Sequence, residues 1–293
     1  MNKVKKAVVL CGGLATRFLP ISKSVPKEMF PILDKPILQV IVEDLAKAGI
    51  TDIFILVGRG KECILNHFDK NVELEQRLIA TNKLEFLEKV REPNNLANIV
   101  YKRQIEPKGT GFGIEQAKSF VGDDPFVLMF GDEVMFCDEK NVVEQLIETY
   151  EKEQKNVIAV KEVPMEEVYR YGIIDKGEKI ENGYNVKGIV EKPKVEEAPS
   201  NISYIGPAIL TKDVFPALDK LEVIEGKEKI LTEAFAFLCE DDNLCARFIE
   251  GDRHDLGNKF GFVRANIYAC LRDEEFKDEM KKLIKDLAET LNL

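Results

Sequence analysis

An apolar strand, a helix and a second apolar strand open this chain, and that unit constrains its fold more than any other feature. Ala7-Val-Val-Leu10 reads as a buried strand and Ile53-Phe-Ile-Leu-Val57 as the next. Between them Pro36 suits a first helical turn, Ile37, Ile41, Leu45 and Ala48 share one face, and Gly49 ends the helix. Such a βαβ unit predicts a parallel strand pair with a right-handed crossover.

The alternation continues downstream. A charged helical stretch covers about 72–91, a strand lies near 99–103, and a helix runs over about 113–118. Phe126-Val-Leu-Met-Phe130 is another buried strand, stopping at Gly131-Asp132-Glu133, and 157–160 continues the sheet. From 172 to 210 the pattern is shorter and richer in strands, including 186–190, with turns expected at Lys176-Gly177 and Asn182-Gly183. Helices return near 213–219, 230–239 and 258–271. The last segment sets Phe276, Met280, Leu283, Ile284, Leu287 and Leu291 on one stripe, read as core or subunit contact. The expected fold is α/β: a Rossmann-like doubly wound mixed sheet with a strand-rich insertion and C-terminal helices. Ligands should gather at the carboxyl ends of its strands.

Composition narrows the function. The chain has 293 residues, 45% hydrophobic and 32% charged, enough for a substantial core. A formal net charge of −10 argues against a nucleic-acid or anionic-membrane partner, so any cations that meet phosphates must be concentrated locally. No segment has the apolar length of a membrane span, and the basic amino terminus lacks a secretory core, so a cytoplasmic location is expected. The six cysteines, at 11, 63, 137, 239, 245 and 270, show no CxxC spacing and are expected as reduced, buried thiols. Cys11 has no nearby histidine to activate it. Only His67 and His254 exist, so chemistry built on a histidine base is not expected.

The local cations follow the first strand. Gly12 and Gly13 form a turn that can bring backbone N–H groups close to phosphate oxygens. Arg17 offers a planar fork for two of those oxygens, and Lys23 and Lys27 add point charges. Together they predict a triphosphate site. Asp132, at a strand end, suits Mg²⁺ or is an ordinary acidic strand-end turn. Asp255 reads equally as a metal ligand or as a helix N-cap. Glu191-Lys192 reads as a sugar-hydroxyl acceptor beside a phosphate-binding cation, or as a solvated charge pair. Gly172, after Tyr171, either lets a sugar ring approach the backbone or forms a plain turn. The Gln104 amide matches the imide edge of uracil or thymine, unless it is an ordinary surface glutamine.

Taken in order, these segments resemble the sugar-phosphate nucleotidylyltransferases, and within them the bacterial UTP–glucose-1-phosphate uridylyltransferases. The resemblance rests on Gly13-Leu-Ala-Thr16-Arg17-Phe-Leu-Pro20, Lys23, Pro26-Lys27-Glu28-Met29, Pro31, Lys35-Pro36 and Gln39. It continues through Arg103-Gln104, Lys108-Gly109-Thr-Gly111, Gly131-Asp132, Tyr171-Gly172-Ile173, Glu191-Lys192-Pro193 and Asp255-Leu-Gly257-Asn-Lys259-Phe-Gly261. Pro26-Lys27-Glu28-Met29 is its sharpest element. The resemblance implies a single domain over 1–293: a nucleotide half (1–160), a sugar half (161–255) and a helical tail (256–293). It implies UTP and glucose 1-phosphate as substrates, UDP-glucose and pyrophosphate as products, and a homodimer or homotetramer. Gly12, Gly13, Gln104 and Gly109 would hold the uracil nucleotide, and Arg17 and Lys27 its triphosphate. Asp132 would bind Mg²⁺, with Asp255 assisting; Gly172 and Glu191 would hold glucose, and Lys192 its phosphate.

Some positions depart from the family pattern. Ala15 stands for a glycine, Glu133 for a second Asp, and Phe112-Gly113 for a His-Ala pair, while Pro207 and Ile230 replace polar residues. An alanine held at positive φ costs about 1 kcal/mol or more, so the first loop is expected to be strained or reshaped. Alternatives are a thymidylyltransferase or an enzyme for another sugar phosphate, and a weakly catalytic regulatory paralogue that binds UDP-glucose. A nicotinamide dehydrogenase fits poorly, since the glycine turn lacks G-x-G-x-x-G.

Overall fold

The computed structural model describes residues 3–222 and 226–292. Nine strands form the main sheet. In chain order they are β1 (Lys6–Cys11), β2 (Asp52–Val57), β3 (Asn98–Arg103), β4 (Phe126–Phe130), β5 (Asn156–Glu162), β6 (Gly172–Ile180), β7 (Gly183–Glu191), β8 (Ile202–Leu210) and β9 (Leu244–Phe248). Their spatial order is β3-β2-β1-β4-β8-β5-β9-β7-β6.

The expected parallel pair is present, with Ala7 opposite Ile53 and Cys11 opposite Val57. β1 also pairs in parallel with β4, and β2 with β3. The chain therefore leaves β1 toward one edge and later returns on its other side, which makes the gap beyond β1 and β4 the topological switch point. Side chains alternate across β1. Ala7, Val9 and Cys11 enter one core with the helices Ile37–Lys47 and Val142–Glu153, while Val8 enters a second core with Thr110–Glu115, Val214–Asp219 and Leu231–Glu240. Helices cover both faces, so the sheet is doubly wound as the sequence predicts.

Several elements differ from expectation. The 157–160 run does not extend the sheet directly from β4, because antiparallel β8 lies between β4 and β5 and pairs with both. β8 also meets β6 through Ser203 and Ile173, curling the strand-rich part back on itself. Lys176-Gly177 is not a turn but lies inside β6, opposite a register shift in β7. The 72–91 stretch splits into Val72–Ala80 and Leu84–Arg91 at Asn82, which takes φ +52°. The 113–118 helix is instead two short ones, Thr110–Glu115 and Lys118–Val121. Helices Glu62–Phe68 and Val142–Glu153 had no counterpart in the sequence reading.

Beyond β4 the chain forms a small ribbon in which Glu133–Phe136 pairs antiparallel with Asp252–Asp255, setting Asp255 opposite Glu133. The tail helix Lys277–Leu291 leaves Leu283, Ile284, Leu287 and Leu291 between 42% and 63% exposed, so its stripe is not core within one chain. Among the described residues no helix is long and apolar enough to cross a membrane.

Candidate active site

Two cavities open at the carboxyl ends of β1 and β4. The first, of about 310 Å³, is lined by Gly12, Gly13, Lys27, Gln104, Gly109 and Asp132, among others. The second, of about 370 Å³, is lined by Gly172, Glu191, Lys192, Ile230, Thr232 and Arg253, and again by Asp132. Thr110 and Phe130 also border both. Gly12, Gly13, Lys27, Gln104 and Gly109 thus line one cavity and Gly172, Glu191 and Lys192 the other, with Asp132 bordering both, whereas Arg17 and Asp255 border neither.

Local geometry explains the first cavity. Gln104 follows β3 and is anchored by its N–H donating to the Val57 carbonyl at 2.8 Å. Its side-chain amide lies against Gly12, where a Cβ would stand 2.4 Å from Oε1 and push the amide aside. Gly109 takes φ +97°, and a Cβ there would meet the Lys229 carbonyl at 2.5 Å. That closeness comes from a backbone clamp: the Lys229 N–H donates to the Lys108 carbonyl and the Gly111 N–H to the Lys229 carbonyl, each at 2.8 Å.

Ala15 adopts φ +52° and ψ +41°, so the loop keeps a left-handed residue where alanine replaces glycine. The cost is local strain rather than a reshaped turn. Arg17 is exposed in the short turn that follows and borders neither cavity. Lys27 reaches inward and donates to Asp132 Oδ2. Burial opposes the charge on Lys27, but the Asp132 carboxylate outweighs it and holds the ammonium above its ordinary range.

Asp132 and Asp255 converge. A Cβ on Gly257 would be 2.9 Å from Asp132 Oδ2 and 2.9 Å from Asp255 Oδ1, so both carboxylates face the space beside that glycine. The Leu256 N–H donates to the Asp132 carbonyl at 2.9 Å, tying the two segments together. Helix Lys259–Arg272 is capped by Asn258, whose Oδ1 accepts the Gly261 N–H at 2.7 Å. Asp255 is therefore not the cap; it accepts from the Gly257 N–H at 2.8 Å and from Asn258 Nδ2 at 3.2 Å. Two neighbouring carboxylates are the hard oxygen donors that a divalent cation takes together with phosphate and water, and in the structure Asp132 Oδ2 is paired with Lys27 and Asp255 Oδ1 with the Gly257 N–H.

In the second cavity Glu191 Oε2 accepts from Thr232 Oγ1 at 2.7 Å, and Lys192 lies 3.4 Å from Oε1. Lys192 takes φ +49°, with its N–H donating to the Tyr171 carbonyl at 2.9 Å. Glu133, the departure beside Asp132, pairs with Arg253, whose Nε donates to Oε2 at 2.8 Å while its guanidinium stacks 5.6 Å over the Tyr171 ring. Burial pushes the Glu133 carboxyl up to about 8 against the pull of Arg253. Ile230 cannot cap helix Leu231–Glu240, and the cap comes from across the cleft: Thr110 Oγ1 accepts the Leu231 N–H at 3.0 Å.

Sequence reasoning missed Thr110, Thr232 and Arg253, which line the cavities. Thr110 lay inside the quoted Lys108-Gly109-Thr-Gly111 segment, and the other two carry no local signal. Cys11 is buried, and burial raises its thiol well above the ordinary range, which keeps it protonated and inert. Of the six cysteines, all free thiols, Cys11 and Cys245 are buried, Cys137, Cys239 and Cys270 half-buried and Cys63 exposed, so the expectation of buried thiols holds for two of them. Neither His67 nor His254 lines either cavity.

The chain belongs to the nucleotidyl transferase family, whose model matches residues 6–270. It is similar over its length to particular members. A UTP–glucose-1-phosphate uridylyltransferase 2 of Staphylococcus saprophyticus is 46% identical over 287 residues, 98% of this chain and 99% of that protein. A UTP-bound UGPase from Acinetobacter baumannii aligns with a TM-score of 0.89 at 34% identity, covering 97% of this chain and 99% of that one. A UDP-glucose pyrophosphorylase complexed with UDP-glucose aligns with a TM-score of 0.83 at 34% identity, covering 92% and 100%.

Proposed function

We propose that this chain makes UDP-glucose and pyrophosphate from UTP and glucose 1-phosphate. The observation that carries the reading is Asp132, shared by a cavity with nucleotide-type residues and a cavity with sugar-phosphate-type residues. The names of the relatives supply the substrates, and the convergence of the two cavities supports a reaction between their occupants.

A phosphate oxygen of glucose 1-phosphate attacks the α-phosphorus of UTP in line. One P–O bond forms there, the bond to the β-phosphate bridging oxygen breaks, and its electron pair leaves on pyrophosphate. The nucleophile is already an anion, so no proton has to be removed and no histidine is needed. The barrier is the repulsion between two anions, which fixed cations lower. Lys27 meets the triphosphate from the first cavity and Lys192 the sugar phosphate from the second. Arg17, exposed in the turn after Ala15, would add its charge to the triphosphate. Gln104 reads the base edge above Gly12 and Gly13, Gly109 borders the nucleotide, and Glu191, fixed by Thr232, accepts sugar hydroxyls near Gly172. Asp132 and Asp255 would hold Mg²⁺, which when bound neutralises phosphate charge. In the structure Lys27 pairs with Asp132, which sets a cation and a carboxylate side by side at the edge of the first cavity.

Ala15 keeps the left-handed geometry of the loop, which favours an active enzyme over a weakened paralogue. A cytoplasmic enzyme with a self-associating tail belongs to the same reading, and light scattering on the purified protein gives the subunit count.

The test is pyrophosphate release by the purified protein with Mg²⁺ and a panel of UTP, dTTP, glucose 1-phosphate and other sugar phosphates. UTP with glucose 1-phosphate is expected to be the best pair. Preference for dTTP would transfer the reading to thymidylyl transfer, and release from no pair would reject it.

A further inference from the structure

We propose that Lys61 is a positioning residue of the nucleotide site, acting through the backbone of the Gly12–Gly13 turn. The inference rests on the nucleotidyl-transfer reading above and adds a residue to it. Lys61 is 7% exposed and lines neither cavity. Its ammonium nevertheless has four close acceptors: the Cys11 carbonyl at 2.7 Å, the Gly13 carbonyl at 2.9 Å, and Glu28 Oε1 and Oε2 at 2.8 and 2.9 Å.

The sheet brings these groups together. Cys11 and Val57 end their paired strands in register, so the turn after β2, which carries Lys61, runs beside the turn after β1. A trans peptide points its C=O and the following N–H in opposite directions. With the Cys11 and Gly13 carbonyls both fixed on Lys61, the N–H groups of Gly12 and Leu14 point away from the buried ammonium. Released, the Gly13–Leu14 peptide plane could rotate and turn its carbonyl dipole toward the phosphates, whereas the Cys11 carbonyl keeps a bond from the Gly58 N–H at 3.3 Å. The same ammonium holds Glu28, which is fully buried next to Lys27 in the 27–29 turn. Lys61 thus sets both the glycine turn and the segment that presents Lys27. Its charge is balanced by Glu28, which itself borders the first cavity beside Lys27.

Two alterations test this by steady-state kinetics, with thermal melts checking the fold. Lys61→Arg keeps the charge and the ion pair, but no single nitrogen of a guanidinium can take the place of the ammonium among both carbonyls and the carboxylate. Lys61→Met combined with Glu28→Gln releases the carbonyls without leaving a buried charge unpaired. For both, the KM for UTP is expected to rise about ten-fold or more, the loss of one or two charge-assisted hydrogen bonds' worth of ordering. The KM for glucose 1-phosphate should stay within about two-fold, because its cavity does not touch the turn. A role confined to folding predicts no such split. An unchanged UTP KM in a folded variant, a parallel rise for both substrates, or a fall in kcat alone would overturn the inference while leaving wild-type uridylyl transfer intact. If the double variant does not fold, Lys61→Arg decides. Wild-type protein inactive with UTP defeats the parent reading, and this inference with it.

Discussion

Two residues at the site sit in a backbone conformation that glycine tolerates better, and each has a different reason. Lys192, at φ +49°, carries an ammonium into the second cavity, so its strain accompanies a side chain that glycine lacks. Ala15, at φ +52°, offers no such side-chain chemistry. Ala15→Gly should relieve about 1–2 kcal/mol of left-handed strain while losing about 0.5–1 kcal/mol of chain entropy. The net expectation is a small rise in melting temperature, about 1–3 °C, with activity retained. A lower melting temperature would show that the loop is relaxed as it stands. At the chemical centre, Asp132→Ala and Lys192→Ala should each reduce turnover by about 10²-fold or more, the first by removing a carboxylate that would hold Mg²⁺ and the second by removing a cation from between two anions. Near-normal turnover in either variant removes that residue from the mechanism.

At the scale of elements, the helices that frame the cleft depend on contacts from distant parts of the chain. Helix Val142–Glu153 begins with a reciprocal cap in which Asn141 Oδ1 accepts the Glu144 N–H and Glu144 Oε2 accepts the Asn141 N–H. Asn141 also donates to the Asp44 carbonyl at 2.8 Å, joining the helix to Ile37–Lys47. Asn141→Ala should cost about 1 kcal/mol or somewhat more by chemical denaturation. Between those helices burial pushes the Asp44 carboxyl up to about 7. Its pKa is raised in the folded state, so the protonated form is the one folding prefers. Its contribution to stability is therefore full below about 4 and is lost as pH rises to about 7. Asp44→Asn should flatten that decline, with a larger gain in melting temperature at pH 8 than at pH 5. Equal gains at both values would mean that Asp44 titrates normally.

These elements also show what the sequence could tell. Apolar runs such as Phe126–Phe130 declared the buried strands, because a strand covered on both faces must be apolar throughout. The site residues on the strand ends could be assigned for the same reason: chain order places them on one edge. The Asn141…Glu144 spacing was a readable start signal that went unused. The position of β8 was not readable, since its neighbours are chosen by tertiary pairing and not by local pattern. Lys61 was hidden too: in Gly58-Arg-Gly-Lys61 it looks like one more solvated turn cation, and only the register between β1 and β2 buries it.

At the scale of the whole molecule, an acidic chain of net charge −10 confines its useful cations to one edge of a single sheet. β8 pairs with both β4 and β5, so the two cavities share one rigid support, and Asp132 stands where they meet. That arrangement is the centre of the account, and a crystal structure of the protein with UDP-glucose tests it most directly. The account predicts uracil beside Gln104, glucose beside Glu191, and the diphosphate linkage passing Asp132 from one cavity to the other. A nucleotide sugar bound with its base in the Glu191 cavity, or lodged away from Asp132 altogether, would contradict it.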